Sequence, residues 1–390
     1  MDQFIRSLES ADPGTCSDEA ERTRATDALH AALRRFQQPW DIAFEHAFEN
    51  TLTHSAVKTS IDAGIFHKWA EFGGGTKSSK DLAQLTGTDP VLMKRLVRHL
   101  AAQHLLTEEP TPWSSTLASD PAFPSWYGSG FYYELTLPVF HNLHAFLAAT
   151  GFQNPTDGQS SNYQHLQGAG TTYFDYMNNR PQVAKEFNDA MAFHSNYIFK
   201  PWVDIYPSDT IITNARAGCP MVVDVGGGKG HDLEKFRIRH RNNGVIPDGA
   251  LVLQERPDVA EKLVGVDRDP AIVVWVYDFF TPQPARGARV YLLHSILHDW
   301  HDEDAVKILI NVAGAMEKGY SRLLIHESLV STVKPHRRVT TTDLVMMALF
   351  AAKERTEEEF KKLVVSAGLN VCKIWRPPHS VESIIEAELA

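Results

Sequence analysis

Met221-Val-Val-Asp-Val-Gly-Gly-Gly-Lys-Gly-His231 is an apolar strand that runs into a glycine-rich turn. A helix is expected directly after it, opening with Asp232-Leu-Glu-Lys-Phe236. Glycines at such a turn let backbone N–H groups approach a ligand that side chains would otherwise keep away. The dinucleotide fingerprint G-x-G-x-x-G fails, because the position after Gly226 and Gly228 that should hold its third glycine is His231. That points away from a nicotinamide dinucleotide and towards another adenosine-bearing ligand.

Outward from the turn, strands and helices alternate. Apolar runs at 221–225, 251–254, 271–276, 289–293, 322–325 and 371–375 read as strands. Amphipathic stretches at His231–His240, 302–315 and 356–367 read as helices. The alternation predicts an α/β fold, a doubly wound and mostly parallel sheet. Ligands in such sheets bind outside the carboxyl ends of the strands, where the strand order switches.

The chain upstream has a different texture. Residues 1–26 form a polar lead, expected to be frayed. Residues 27–120 are read as a helical, winged-helix dimerisation domain. Within it, Ser60-Ile-Asp-Ala-Gly-Ile-Phe66 and Val91-Leu-Met-Lys-Arg-Leu-Val-Arg-His-Leu100 repeat apolar residues every three or four positions. Asp89 stands as N-cap before Pro90 at the first helical position. Residues 121–210 are read as a helical connector and a segment expected to lie over a pocket, and 211–390 as the ligand-binding domain in which any catalysis is expected.

A net charge of −10 leaves little surface for a polyanion, so the helical unit is expected to pack against a partner helix or a second copy rather than nucleic acid. Three scattered cysteines are too few for a disulfide framework or a cysteine zinc site, so a reducing compartment and no metal are expected. No leader and no eighteen-residue apolar run is present, which predicts a cytoplasmic protein outside the membrane.

Chemistry-bearing residues recur at successive strand ends. Glu255 follows the second strand, where a carboxylate can grip a ribose diol or cap a helix. Asp278, with Phe279 and Phe280, follows the third, offering an adenine an acceptor and an apolar face. Tyr291-Leu-Leu-His-Ser-Ile-Leu-His-Asp-Trp300 follows, then Leu323-Leu-Ile-His-Glu327.

With these blocks in view, the chain from about Gln38 onward resembles the class I S-adenosylmethionine-dependent O-methyltransferases of the caffeic-acid type, in their fungal branch acting on secondary metabolites. The match is carried by Val223-Asp-Val-Gly-Gly-Gly-Lys-Gly230, Tyr277-Asp-Phe-Phe280, Leu297-His-Asp-Trp300, Gly319-Tyr-Ser-Arg-Leu-Leu-Ile-His-Glu327, Asp343-Leu-Val-Met-Met-Ala-Leu349 and Lys353-Glu-Arg-Thr-Glu-Glu-Glu-Phe360. The resemblance implies S-adenosylmethionine as cofactor, with Asp224, Gly226, Gly227 and Gly228 at its methionine part and Glu255 at its ribose. It implies Asp278 and Phe279 at the adenine, Trp300 in the same cleft, and His294 where the family carries an Arg or Lys for the cofactor carboxylate. His298 falls on the general base, and Glu327 and Glu354 on the carboxylates that orient it. It also implies a homodimer formed through the N-terminal helices. Trp126, Phe140, Met346, Met347 and Phe350 are candidate walls of a flat apolar substrate pocket.

This sequence departs from the family pattern in places. Glu255 stands for the usual aspartate, Tyr277 for a frequent histidine, and His294 for the basic residue, where it is expected to be a weaker partner at neutral pH. His141 lies in a segment expected to cover the substrate. Fungal relatives of this fold retain S-adenosylmethionine without transferring its methyl and catalyse dehydrations and pericyclic closures on polyketide-derived pyridones. The chain is therefore read as an O-methyltransferase for a phenolic or enolic metabolite. The alternative is a pericyclase or dehydratase (Diels-Alder, hetero-Diels-Alder or Alder-ene) that uses His141 and His298. A third reading is a non-enzymatic dimeric regulator.

Overall fold

Strand β1 (Val222–Val225) is buried along its whole length, as a β-branched run covered on both faces must be. The structure, a computed structural model, describes residues 1–108, 113–114, 131–168, 170, 172–197, 200–242, 246–263, 265–333, 335–377 and 381–390. Around β1 lie β2 (Leu251–Glu255), β3 (Ile272–Val276), β4 (Val290–His294), β5 (Arg322–Ser328), β6 (Leu369–Trp375) and β7 (Glu382–Leu389). Their order across the sheet is β3-β2-β1-β4-β5-β7-β6. Strands β1 to β5 are parallel, and β7 inserts antiparallel between β5 and β6. The mostly parallel, doubly wound sheet is as expected. Strand β7 was not expected, nor was the helix Arg337–Phe350. The order reverses beside β1, so the glycine turn sits at the switch point.

Alternation along each strand divides the core in two. Tyr291, Leu293, Leu323 and Ile325 point to one face, where Ile308, Leu309, Phe360 and Leu363 cover them from helices Asp302–Ala313 and Glu357–Ser366. Leu251, Leu253, Leu292 and Leu324 point to the other, against Leu233 and Phe236 of helix His231–His240. Trp202 stacks on Phe236 at 5.7 Å and donates its indole N–H to the Asp232 carbonyl at 3.0 Å. That pins the helix start directly behind the glycine turn.

The chain divides into two compact units, 1–128 and 129–390, so the connector belongs with the catalytic segment. In the first unit, Val57, Phe66, Trp69, Leu82, Met93 and Leu100 form a core of their own. Asp89 caps the helix Pro90–Ala102 as the sequence predicts, accepting from the backbone of Val91 and Leu92 at 2.9 Å each. The lead is a correction: residues 2–9 are helical, and the helix expected from 27 onward already begins at Glu19 and runs to Phe36. Asp18 caps the second of these, with Glu19 and Glu21 in its first turn and Arg34 and Arg35 in its last, a charge order that suits the helix dipole. Among the described residues no helix is long and apolar enough to cross a membrane.

Candidate active site

The glycine turn is shaped by contacts that leave no room for side chains. Gly226 has φ +74°, and a Cβ there would stand 2.7 Å from Ile296 Cδ1. At Gly227 a Cβ would stand 2.2 Å from Asp224 Oδ2. The Gly228 N–H donates to Glu255 Oε1 at 2.7 Å, and Glu255 Oε2 accepts from the Arg256 N–H at 3.0 Å. Glu255 thus braces the turn that it follows in space. Asp224 is 1% exposed, and neither of its carboxylate oxygens has a hydrogen-bond partner among the described residues. Burial pushes its pKa well up, and the Asp232 charge adds to this. A buried carboxyl left open beside backbone N–H groups fits a ligand that brings an ammonium of its own.

His294 ends β4 and donates from Nδ1 to Asp232 Oδ2 at 2.5 Å, with Glu382 Oε1 3.6 Å from its Nε2. Burial works against its cation, but the Asp232 and Glu382 charges outweigh it and hold the pKa well above the ordinary histidine value. Both ring nitrogens thus face carboxylates of the protein itself. The two carboxylates come from residues 62 positions upstream and 88 downstream, and nothing local in the sequence announces them.

Beyond His294 the chain turns sharply. Ser295 has φ +53°, a strained value for a residue with a side chain, and the single turn Leu297–Asp299 follows. Two side chains hold this turn. Glu327 Oε1 accepts from the N–H groups of Ile296 and Leu297 at 3.0 and 2.8 Å. Arg355, fully buried, donates to the carbonyls of Leu297 and Trp300 at 2.6 Å each. Its Nε reaches Asp302 at 2.8 Å.

His298 emerges from that turn. Its Nδ1 lies 2.9 Å from Glu354 Oε1 and 3.8 Å from Glu327 Oε2, and its Nε2 lies 3.7 Å from Asp299 Oδ1. The His298 side chain remains 15% exposed while those of Glu327 and Glu354 are 1% exposed. Glu354 is aimed by its backbone: Ala351, at φ +54°, turns the chain after helix Arg337–Phe350. The Glu354 N–H then donates to Asp343 Oδ1 at 3.0 Å. Burial opposes the His298 cation, yet the charges of Glu327 and Asp299 and the Glu354 hydrogen bond hold its pKa well above the usual value. Burial raises Asp299 to about 7 and raises Glu327 as well.

At the edge of this cleft Phe279 and Phe280 meet Trp300 edge-on, at 5.7 and 4.8 Å. Asp278 Oδ1 accepts from the Phe280 N–H at 3.0 Å, so one oxygen of that carboxylate serves its own turn. Met346 is buried, and Met347 and Phe350 are half-buried. Phe350 stacks on Phe174 at 5.3 Å and 10°. Phe140 is half-buried on helix Leu137–Ala149, and His141 beside it is exposed. The polar neighbours of His298 are Glu327, Glu354 and Asp299, and His141 is not among them. Trp126 lies outside the described residues.

Sequence reasoning missed Arg355, Asp343, Asp299, Asp232 and His326. Arg355 stood inside a recognised block, but its partners are backbone carbonyls 55 and 58 positions away, and a carbonyl leaves no trace in sequence.

Residues 147–370 match the family model described as an O-methyltransferase domain. The O-methyltransferase mfmE of Annulohypoxylon moriforme is 35% identical over 394 residues, covering 99% of this chain and 95% of the relative. The chain belongs to the O-methyltransferase family, enzymes that work with S-adenosylmethionine. Two solved structures share the fold. One, described as a pericyclic reaction enzyme, has a TM-score of 0.89 at 23% identity and covers both chains fully. The other, LepI in complex with S-adenosylmethionine, has a TM-score of 0.87 at 24% identity, covering 100% of this chain and 98% of its own.

Proposed function

We propose that this chain transfers the methyl group of S-adenosylmethionine to a phenolic or enolic oxygen of a small molecule, with His298 as general base. The observation that carries this is the 2.9 Å contact of His298 Nδ1 with Glu354, backed by Glu327. A carboxylate on Nδ1 fixes the tautomer and leaves the Nε2 lone pair for the hydroxyl proton of the substrate. The cofactor supplies a methyl carbon bonded to a sulfonium. His298 Nε2 would take the proton of the substrate hydroxyl and so leave its oxygen as the nucleophile for that methyl, with S-adenosylhomocysteine as the released product. Asp224 and the Gly226–Gly228 backbone would hold the methionine end, Glu255 the ribose, and Asp278, Phe279 and Trp300 the adenine; His294, whose two nitrogens both face protein carboxylates, has no nitrogen left for the cofactor. Met346, Met347, Phe350 and Phe140 are assigned to the substrate wall.

One observation favours a second reaction on the same site. Glu354, Glu327 and Asp299 surround one imidazole, burial raises Asp299 to about 7, and the carboxylates hold the His298 pKa above its usual range, all of which favours a retained proton. A group that keeps its proton polarises a carbonyl or protonates a departing hydroxyl, which a pericyclase or dehydratase acting on a pyridone alcohol requires. Incubation with methyl-labelled S-adenosylmethionine and a panel of phenols and pyridone alcohols separates the two. Label in the product, with S-adenosylhomocysteine released one for one, supports methyl transfer. A rearranged or dehydrated product with the cofactor unconsumed supports the second reaction, with His141 the next residue to test.

A homodimer through residues 1–128 belongs to the same proposal. Phe4, Ile5, Leu8, Leu29, Leu33 and Phe36 are exposed on helices Asp2–Glu9 and Glu19–Phe36, an apolar surface that a second copy would cover. Sedimentation giving only monomer at micromolar protein would remove it. The three free cysteines suit a cytoplasmic setting.

A further inference from the structure

His326 is the buried titratable side chain for which the proposed reaction has no use. It is 0% exposed, and neither ring nitrogen makes a hydrogen bond among the described residues. A buried imidazole with neither nitrogen bonded is costly and calls for an explanation. Its neighbours on the same sheet face are two other ligand-type side chains. His294 pairs with His326 in register across β4 and β5, so both side chains leave the sheet on one side. Ile384 of β7 pairs with His326, and Glu382, two residues earlier in that strand, shares the face.

We propose that His294 Nε2, His326 Nε2 and the Glu382 carboxylate form a binding site for a divalent transition-metal ion, zinc being the fitting choice. The three ligand atoms lie within 4.8 Å of one another. His326 Nε2 is 3.2 Å from Glu382 Oε2, and His294 Nε2 is 3.6 Å from Glu382 Oε1. Ligand atoms on a tetrahedral zinc with bonds near 2.05 Å stand about 3.3 Å apart, so the observed spacings need only small side-chain shifts. Two imidazoles and one carboxylate are the donors that borderline ions such as zinc take, with a fourth position left over.

The second independent observation is the partner of His294. Its Nδ1 donates to Asp232 Oδ2 at 2.5 Å, which leaves Nε2 as the ligating atom. Metal-bound histidines characteristically carry such a carboxylate on the other nitrogen. Lys235 Nζ, 3.3 Å from Asp232 Oδ1, steadies that carboxylate in turn. In the loaded state the ion takes the place of any proton on the two Nε2 atoms. The expectation of no metal rested on the cysteine count, and this set is built from histidine and glutamate. The other His–Glu–Glu group, at His298, offers a single nitrogen already hydrogen-bonded to Glu354 and is assigned to proton transfer.

The full-length protein, stripped of metal with a chelator, is titrated with cobalt(II) as a spectroscopic probe for zinc. The expected result is one equivalent bound with the intense visible absorption of a tetrahedral nitrogen–oxygen site, displaced by one equivalent of zinc. His326→Leu should abolish the absorption, and Asp232→Asn should weaken binding about 10- to 100-fold. Should His326→Leu not fold, Glu382→Gln serves in its place and should lose the same absorption. Absence of the tetrahedral spectrum in the wild-type protein, or one-to-one binding that survives in the folded variants, overturns the site. Since the readout is absorption rather than turnover, its failure is distinct from failure of the proposed methyl transfer.

Discussion

Two histidine–carboxylate clusters sit on opposite faces of the sheet at the carboxyl ends of β4 and β5, and they differ in what their neighbours leave free. On one face His298 meets Glu354, Glu327 and Asp299, and its side chain keeps 15% of its surface open. On the other His294, His326, Glu382 and Asp232 are closed in, with His294 only 9% exposed. Adjacent residues feed both: His326 points to one face and Glu327 to the other, because successive side chains of a strand alternate. An imidazole with one nitrogen satisfied and the other reachable is equipped to move a proton. Paired imidazoles sealed around a carboxylate are equipped to hold a cation. The same residue types serve different chemistry according to which face of β5 they leave.

The comparison breaks most readily at His298. His298→Ala should lower methyl transfer by about 10²- to 10⁴-fold, with S-adenosylmethionine binding by calorimetry nearly unchanged. If cofactor affinity collapses in that variant, His298 is structural and the contrast between the faces is lost. Arg355→Met comes next. It removes a buried cation and leaves the Leu297 and Trp300 carbonyls without their donor. Denaturant unfolding should register a loss of about 3–5 kcal/mol, and activity should fall with it because the His298 turn is released.

A smaller effect sharpens the electrostatic side. Since the carboxylates hold the His298 pKa up, its free base appears only as pH rises through that raised value. The pH profile of kcat/KM for methyl transfer should therefore climb above neutrality. Glu327→Gln removes one of the charges and should move that limb to lower pH. An unmoved limb would mean that the titrating group is not His298. The smallest effect is expected at Lys353, beside Glu354 in sequence. Its ion pairs with Glu359 and Asp302 lie at the surface, with the Lys353 side chain 39% exposed. Lys353→Met should cost less than about 1 kcal/mol in the same unfolding experiment, against the several expected at Arg355 two residues away.

Six of the seven strands and the helices after the glycine turn and after Trp300 were legible in sequence, since each is a local apolar run or a local 3.6-residue pattern. Strand β7 was not. Glu382-Ser-Ile-Ile-Glu-Ala-Glu-Leu389 carries three glutamates, and it becomes a strand by pairing with β5 and β6 on both sides. The first turns of the helix Glu19–Phe36 were read as part of a lead because the helix buries no residue of its own, which weakens the periodic signal. His298, Glu327 and Glu354 could be named from the blocks they occupy. That the pKa of His294 is pulled upward could not, since Asp232 and Glu382 reach it from 62 positions upstream and 88 downstream.

By itself the sequence determined the glycine turn, the parallel strands around it, the membership of the chain in its family and the residue types on offer at each strand end. These follow from short-range rules: strand and helix periodicity, and the room that glycine leaves for a ligand. Only the tertiary structure decided which carboxylate meets which imidazole, which nitrogen is left open, and which carbonyls Arg355 ties together. Those properties depend on distances between residues dozens of positions apart, and charge and desolvation act through space rather than along the chain.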